Sequence, residues 1–247
     1  LRGKSSILGD DESPRGAHND IMITHPDQPA VIRIPTALRL VGITGGVWAI
    51  LTILLAVLAY LPGHPDFSLF TTYLSDIGDT PGWPQILFNA GTLIAVPIRY
   101  LVLVLLALRL NQLGAGRVFT IAVLVIGFAS TAGTALMTAT PFSVSPAVHK
   151  TGIGLYFLGV VLLQSLICAR EWRLQGVPKV LPALSLAMVV FYLVFLTLMI
   201  LYEQGVVGRN APVIWEWLAI STSIVWVLAQ SIRLGRAAQA GFVGVNA

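Results

Sequence analysis

Long apolar runs, separated by short polar breaks, dominate the chain after its first 36 residues. Six of these runs reach the length of about 20 residues that an α-helix needs to cross the hydrocarbon core of a bilayer. They cover residues 38–61, 85–108, 117–139, 150–168, 181–201 and 213–232. Their length and continuous apolar character predict an all-α protein, a polytopic bundle of six transmembrane helices.

The composition supports a membrane protein. Of the 247 residues, 56% are hydrophobic and 11% are charged, whereas about a quarter of the residues of a soluble domain are charged. The net charge is +4, but the sequence has no basic patch interleaved with aromatic residues. We therefore expect no nucleic-acid partner. The chain has no Walker motif and therefore does not itself couple ATP hydrolysis to transport.

Cationic residues are distributed unevenly between the two sides of the predicted bundle. One side has only Lys150 and Arg209. The other side has Arg39, Arg109, Arg117, Arg170, Arg173, Lys179, Arg233 and Arg236. The positive-inside rule places the richer side and both termini in the cytoplasm, which predicts a multi-pass protein of the cell (inner or plasma) membrane. The excess of arginine over lysine is typical of a GC-rich bacterial genome.

Polar segments at both ends divide the chain into three regions. We predict that residues 1–36 form a polar cytoplasmic tail that binds a partner. Residues 37–236 should form the transmembrane domain, and residues 237–247 a short C-terminal tail. Most of the first tail has the composition of a disordered segment. Its last part is a β-prone run that we expect to add as a strand to a partner. This run consists of Val31, Ile32, Arg33 and Ile34.

The loop between the first two spans predicts the main polar site. Its glycines and prolines interrupt any long helix, so we expect an ordered extracytoplasmic loop lying over the mouth of the bundle. The topology brings residues from later spans to the same rim. The predicted rim cluster is Ser75, Asp76, Asp79, His149 and Glu216. Since charges at membrane depth need partners, we expect Asp76 to pair with His149, and Glu216 with Lys150 or Arg209.

This rim cluster could be catalytic, metal-binding or structural. Ser75, His149 and an aspartate could form a hydrolase triad, but Ser75 lacks the sequence context of a nucleophile elbow. His64, His149 and Asp76 could hold a metal, but the helical H-x-x-x-H pattern is absent. We therefore expect no catalytic residue, no metal and no cofactor other than a bound phospholipid, and interpret the cluster as a structural lock.

Arg99 lies in the middle of the second span, two residues after Pro97. A charge at this depth is costly. One interpretation is that the side chain snorkels towards the cytoplasmic headgroups. The other is that it binds a lipid phosphate, or an acidic residue of another subunit, at a kink caused by Pro97.

Small residues indicate where helices pack closely. The first span has Gly42 and Gly46 four residues apart, and the fourth has Gly152, Gly154 and Gly159. Glycines at such spacing allow the backbones of two membrane helices to approach each other. Three threonines of the third span are interpreted as bonded to carbonyls of their own helix. They are Thr131, Thr134 and Thr138.

Several short motifs resemble those of a known family. Tyr73-Leu74-Ser75-Asp76-x-Gly78-x-x-Pro81, followed by Phe88-Asn89, is similar to a loop of the DRAM/Frag/Sfk family of six-span membrane proteins. The same motifs are also similar to those of a related, uncharacterised bacterial membrane family. His149-x-x-Gly152-x-Gly154-x-x-Phe157 and Glu216-Trp217 look like motifs of the fourth and last helices of the DRAM/Frag/Sfk family. The resemblance covers residues 38–236, and it implies the six-helix architecture and an association with lipids, not a reaction.

Three functions remain open from the sequence. The first is a non-catalytic accessory or scaffold subunit of a larger bacterial envelope complex in lipid transport or lipid homeostasis, for example an Mce-type lipid importer. Its partners would be lipids and the other membrane subunits of a hetero-oligomeric complex. The second is a membrane-embedded, lipid-modifying hydrolase with its site on the extracytoplasmic rim. The third is a small lipid or solute carrier.

Overall fold

Seven α-helices form the part of the chain, residues 33–236, that the computed structural model describes. They are α1 Ile34–Tyr60, α2 Leu74–Asp79, α3 Trp83–Gln112, α4 Arg117–Ala139, α5 Pro146–Arg173, α6 Val180–Glu203 and α7 Val213–Leu234. A 3-10 turn, Leu61–Gly63, follows α1. Every helix except α2 is long and apolar enough to cross a membrane. The prediction of an all-α protein with six spans is confirmed.

The helices extend the predicted spans by at most five residues at either end. Proline at the first or second position begins several of them, as Pro35, Pro84 and Pro146 do, because its fixed φ suits the first helical turn. Ile34 is the first residue of α1 and Arg33 is its extended N-cap. A β-strand that includes Ile34 is therefore wrong. Val31 and Ile32 of the same predicted strand lie outside the described residues.

The six long helices form a closed ring in chain order. α1 packs against α3, α3 against α4, α4 against α5, α5 against α6 and α6 against α7, and α7 returns to α1. Short connections make neighbouring helices antiparallel. Residues 33 and 236 are therefore at the same end of the ring, which we call the terminus end. The segment 64–82, which includes α2, lies at the other end; we call this segment the lid and its end the lid end. Which end faces the cytoplasm stays a prediction.

Helices α4 and α5 approach each other closely at a point where two glycines lie opposite each other. A Cβ atom on Gly133 would be 2.5 Å from the backbone nitrogen of Tyr156. A Cβ atom on Gly152 would be 2.6 Å from the backbone nitrogen of Met137. Because these neighbours are backbone atoms, they cannot move aside as a flexible side chain would. Glycine is therefore required at both positions for the two helices to approach this closely.

The other glycines that were predicted to be helix contacts also lie against a neighbouring helix, with the exception of Gly154. Gly42 and Gly46 of α1 pack against Ser231 and Leu228 of α7. Gly159 of α5 packs against Ser130 of α4 in the same way. A Cβ atom on Gly154, in contrast, would meet nothing within 4 Å, because this residue faces away from α4. The prediction of close packing is confirmed for the others and wrong for Gly154.

The outer surface of the ring is apolar, as a lipid-facing surface should be. Trp83 at the lid end and Trp172 at the terminus end are 69% and 54% exposed, which agrees with aromatic belts at both interfaces. Trp217 lies at the lid end too but does not belong to this exposed belt. It is instead half-buried, and its indole N–H donates to the carbonyl oxygen of Thr72, 2.9 Å away. Trp217 therefore holds the lid.

Candidate functional site

The lid is fixed to the bundle by an ion pair between Asp76 of α2 and Arg209 of the α6–α7 loop. Arg209 Nη2 lies 2.7 Å from Oδ1 and 2.5 Å from Oδ2 of Asp76. Arg209 Nη1 donates to the carbonyl oxygen of Thr71 at 2.9 Å. The guanidinium carbon also lies 4.8 Å from the ring centre of Tyr73. The hydrogen bond to Asp76 raises the pKa of Arg209, which keeps the guanidinium charged.

Tyr73 and Asp76 together define the start of α2. The backbone N–H of Tyr73 donates to Oδ2 of Asp76 at 2.9 Å, as in the acidic half of a capping box. The Tyr73 hydroxyl donates to the carbonyl oxygen of Arg209 at 2.7 Å. Asp76 thus holds two segments at once, its own helix start and the α6–α7 loop.

Glu216 of α7 forms the second attachment of the lid. Its Oε2 accepts a hydrogen bond from the backbone N–H of Leu74 at 2.7 Å. Leu74 is the first residue of α2, where backbone N–H groups have no partner within the helix. The adjacent Trp217 bonds to Thr72 as described. Two consecutive residues of α7 therefore hold the backbone of the lid.

The third attachment joins the lid to α3. Asn89 Nδ2 donates to the carbonyl oxygen of Gly78 at 2.9 Å. A Cβ atom on Gly78 would lie 2.7 Å from Cδ1 of Phe88, so a larger residue would push α2 away from α3. The lid motif with Asp76 and Gly78, the Phe88-Asn89 pair and the Glu216-Trp217 pair therefore belong to one structural unit.

The predicted pairings of the rim charges are wrong. His149 lies against the carbonyl oxygen of Thr140, 3.0 Å from its Nδ1, and does not pair with Asp76. Arg209 forms its ion pair with Asp76, and the Lys150 ammonium lies 3.8 Å from the carboxylate of Glu203. Glu216 consequently has a backbone N–H as its partner instead of a cation.

The side chains of the remaining rim residues, Ser75 and Asp79, take no part in these attachments. Ser75 is exposed, and no hydrogen bond joins its side chain to His149 within residues 33–236. Asp79 accepts a hydrogen bond from the hydroxyl of Ser143 at 3.3 Å. The same residues contain no cluster of three or more His, Cys, Asp or Glu side chains that could hold a metal.

Arg99 points into the bundle and makes two hydrogen bonds to α4. Its Nη1 donates to Thr134 Oγ1 at 2.8 Å, and its Nη2 donates to Ser130 Oγ at 2.9 Å. The guanidinium carbon lies 4.9 Å from the ring centre of Tyr156 on α5. The side chain therefore does not snorkel to headgroups at the terminus end, and that interpretation is wrong. Side chains in a helix lean towards its N-terminus, which for α3 is the lid end.

A chain of hydroxyl groups continues from Tyr156 across the inside of the ring. Tyr156 Oη lies 2.6 Å from Tyr192 Oη, which lies 2.8 Å from Ser223 Oγ. The Ser223 hydroxyl donates in turn to the carbonyl oxygen of Ala219 at 2.8 Å. Together with Arg99, these residues link α3, α4, α5, α6 and α7 at membrane depth. Sequence reasoning missed both tyrosines, because a tyrosine in an apolar span looks like ordinary core.

Two of the three threonines of α4 behave as predicted. Thr131 and Thr134 donate to the carbonyl oxygens of Gly127 and Ser130, at 2.7 Å and 3.2 Å. These bonds to their own helix confirm a packing role. Thr134 has the second role, not predicted, of accepting a hydrogen bond from Arg99.

The hydroxyl chain can be tested with two tyrosine variants. Tyr192→Phe removes the hydrogen-bond partner of the buried Tyr156 hydroxyl, so we expect it to lower the free energy of unfolding by about 1–3 kcal/mol. Tyr156→Phe leaves the Tyr192 hydroxyl bonded to Ser223, so its cost should be smaller, about 0.5–1.5 kcal/mol. Thermal unfolding of both variants in detergent measures the difference. Equal losses would contradict a connected chain.

Fold and site together define a class. The chain is a multi-pass α-helical membrane protein whose charged lid motif is locked onto one end of a six-helix ring. A family model described as the Frag1/DRAM/Sfk1/Cwh43P N-terminal domain matches residues 37–234. The chain belongs to this family, as its motifs indicated. No curated protein and no solved structure gave a significant match.

Proposed function

We propose that the protein is a non-catalytic accessory or scaffold subunit of a larger bacterial envelope complex that transports or organises lipids. The observation that carries the proposal is Arg99, a charge in the middle of a spanning helix with no carboxylate partner among the described residues. The ion pairs in residues 33–236 are Lys150 with Glu203 and Arg209 with Asp76. A cation at this depth needs an anion, and another membrane subunit or a lipid can supply it.

The position of Arg99 favours a partner subunit over a headgroup. Arg99 is 16 residues after Trp83 and 13 before Gln112 in α3, which at 1.5 Å per residue is about 24 Å and about 20 Å from the helix ends. A lipid phosphate normally lies near the ends of such a helix. Arg99 is only partly buried, and only two of the five N–H groups of its guanidinium are used in the bonds to α4. A carboxylate on a neighbouring membrane helix could accept from the others.

The lid end supports a structural role for its charges. Asp76, Glu216 and His149 each have a partner within the chain, and among residues 33–236 no base is hydrogen-bonded to the Ser75 hydroxyl. A hydrolase would need a nucleophile and a base within hydrogen-bonding reach of each other. This arrangement favours the non-catalytic proposal over the lipid-modifying hydrolase.

An apolar groove next to the lid supports an association with lipid. It lies between α1 and α7, has a volume of about 390 Å³, and is lined by residues such as Ile50, Leu54 and Ile224. Phe67 and Leu69 of the lid and Trp217 border it. A groove of this size and character suits one acyl chain of a phospholipid.

Co-purification tests the proposal. In mild detergent, the native protein should retain other membrane subunits and phospholipid, identified by mass spectrometry. Arg99→Leu should reduce the partner that is retained by at least about tenfold, which corresponds to about 1.4 kcal/mol. The fold should survive, because Ser130 and Thr134 keep their hydrogen bonds to backbone carbonyls.

Arg99→Lys is the matched control for charge. It keeps the cation but replaces the planar, five-donor guanidinium with a compact ammonium that cannot reproduce the fork geometry, so an intermediate loss is expected. Unchanged partner and lipid content in Arg99→Leu would contradict the role of Arg99. Lipid hydrolysis or lipid transport by the purified protein alone in liposomes would contradict an accessory role and support the hydrolase or the carrier, respectively.

A further inference from the structure

The terminus end of the ring contains a buried carboxyl group that the proposed function does not use. Glu171 of α5 is 0% exposed, as is Gln230 of α7. The Gln230 amide lies beside the Glu171 carboxyl but forms no well-aligned hydrogen bond with it. Both oxygens of Glu171 and both polar atoms of Gln230 lack a partner within residues 33–236. Four buried polar atoms of two adjacent side chains are thus unsatisfied.

No described cation neutralises Glu171. Arg109 and Lys179 donate to the carbonyl oxygens of Leu234 and Trp172, at 3.2 Å and 2.6 Å. Arg170 donates to the carbonyl oxygen of Gly114, and the thiol of Cys168 to that of Pro182. The other cationic side chains at this end are exposed. They are Arg33, Arg39, Arg117, Arg173, Arg233 and Arg236. Residues 33–236 therefore place no cation within ion-pair distance of the carboxyl.

We propose that Glu171 and Gln230 form a proton-binding site in which Glu171 is a neutral carboxylic acid. A carboxylic acid and a primary amide are complementary. The acid O–H donates to the amide oxygen, and the amide N–H donates to the acid carbonyl oxygen. This one arrangement satisfies all four atoms. An ionised carboxylate could only accept, which would leave the amide oxygen without a donor and a charge buried without a partner.

The acid–amide pair also joins α5 to α7 across the interior of the ring at this end. α5 packs chiefly against α4 and α6, and α7 packs against α6 and α1. The two helices are therefore not neighbours in the ring, and Glu171 and Gln230 meet across its interior. Loss of the proton removes one hydrogen bond and introduces a charge between α5 and α7. The terminus end should consequently loosen as the pH rises.

The sign of the pH dependence follows from proton linkage. The folded protein holds one proton on Glu171 that the solvated carboxyl of the unfolded chain has already released well below neutral pH. Stability therefore falls as the pH rises wherever the folded state binds more protons. We expect the melting temperature of the native protein to decrease as the pH rises from about 5 to about 8. In a Glu216→Gln background, which removes the half-buried carboxyl at the lid end, Glu171→Gln should remove most of the remaining decrease, because two amides form the same pair without a titratable group.

Infrared spectroscopy of the full-length protein in detergent reports on the proton directly. The native protein should show the carbonyl band of a protonated, buried carboxylic acid at low pH. In the same Glu216→Gln background, where Glu216 contributes no carboxylic acid band of its own, Glu171→Gln should lose this band. Glu203→Gln, which changes the exposed carboxyl of α6, should retain both the band and the pH dependence and serves as the control.

Three outcomes would overturn the site. They are the absence of the band in the native protein at low pH, its persistence when Glu171→Gln is added to the Glu216→Gln background, and stabilisation by sodium chloride over choline chloride that Glu171→Gln abolishes. The last would mean that an ionised carboxylate binds a metal cation instead of a proton. Failure of the Arg99 experiments would leave these results unaffected, since the two sites share no residue.

Discussion

Gly152→Ala should lower the free energy of unfolding by about 1–3 kcal/mol, the cost of overpacking a close contact. The added methyl group would lie 2.6 Å from the backbone nitrogen of Met137 and 2.8 Å from the carbonyl oxygen of Gly133. Neither atom can move without shifting α4, so α4 and α5 must separate. The separation would also disturb the hydrogen bond from Ser130 to the carbonyl oxygen of Tyr156, 3.2 Å long. Thermal unfolding in detergent measures the loss.

Gly154→Ala is the matched control, because it lies two residues away on the same helix. Its new methyl group would meet nothing within 4 Å. Alanine also favours a helix over glycine by about 1 kcal/mol. We therefore expect this variant to be as stable as the native protein or slightly more stable. If the two alanine variants had equal melting temperatures, the glycine contact between α4 and α5 would not determine the distance between these helices.

Glycine spacing and apolar length are the features that the sequence specified well. A spanning helix must satisfy its backbone groups internally and must have apolar side chains over a fixed length. Both requirements are local, so the six spans could be located without any knowledge of their neighbours. Gly42 and Gly46 could be identified as contact residues for the same reason. Gly154 could not be separated from Gly152, because only the rotation of α5 relative to α4 distinguishes them.

The partners of the rim charges depend on information that spacing does not contain. Sequence could place Asp76, His149, Lys150 and Arg209 at the same end, but not their lateral order around the ring. Arg209 reaches Asp76 because α1 and α7 are adjacent, which brings the α6–α7 loop beside the lid. His149 belongs to α5, which is a neighbour of neither α1 nor α7 in the ring. The partners of these charges could not be predicted without knowing that the first and last spans, α1 and α7, are in contact.

Glu171 was hidden by its neighbours in sequence. Arg170 and Trp172 beside it indicate an interface position, where a carboxylate would be solvated and unremarkable. The available signal was a seven-residue spacing, which places residues on nearly the same helix face. Gln164 and Glu171 on α5 follow it, as do Ser223 and Gln230 on α7. Polar residues recurring on one face of an apolar helix indicate that this face points into the ring.

Release of the lid should follow from Glu216→Ala, the second variant with a large expected effect. The buried backbone N–H of Leu74 would lose its acceptor, at a cost of about 1–3 kcal/mol. That free energy should shift the lid towards an open state by about 5- to 150-fold. A cysteine at position 77 measures the opening, because Ile77 of α2 is 0% exposed. In a Cys168→Ser, Ile77→Cys background, a membrane-impermeant maleimide should label position 77 faster by that factor.

Glu216→Gln in the same background separates the hydrogen bond from other roles of the side chain. Its amide oxygen can still accept from the Leu74 N–H, so its labelling rate should stay within about fivefold of the parent. Rapid labelling of the glutamine variant would show that the charge of Glu216 matters more than its hydrogen bond. Slow labelling of both variants would show that the contacts of Arg209, Asn89 and Trp217 hold the lid without Glu216. The attachment of α2 to α7 would then be redundant, and the Asp76–Arg209 pair would be the principal lock.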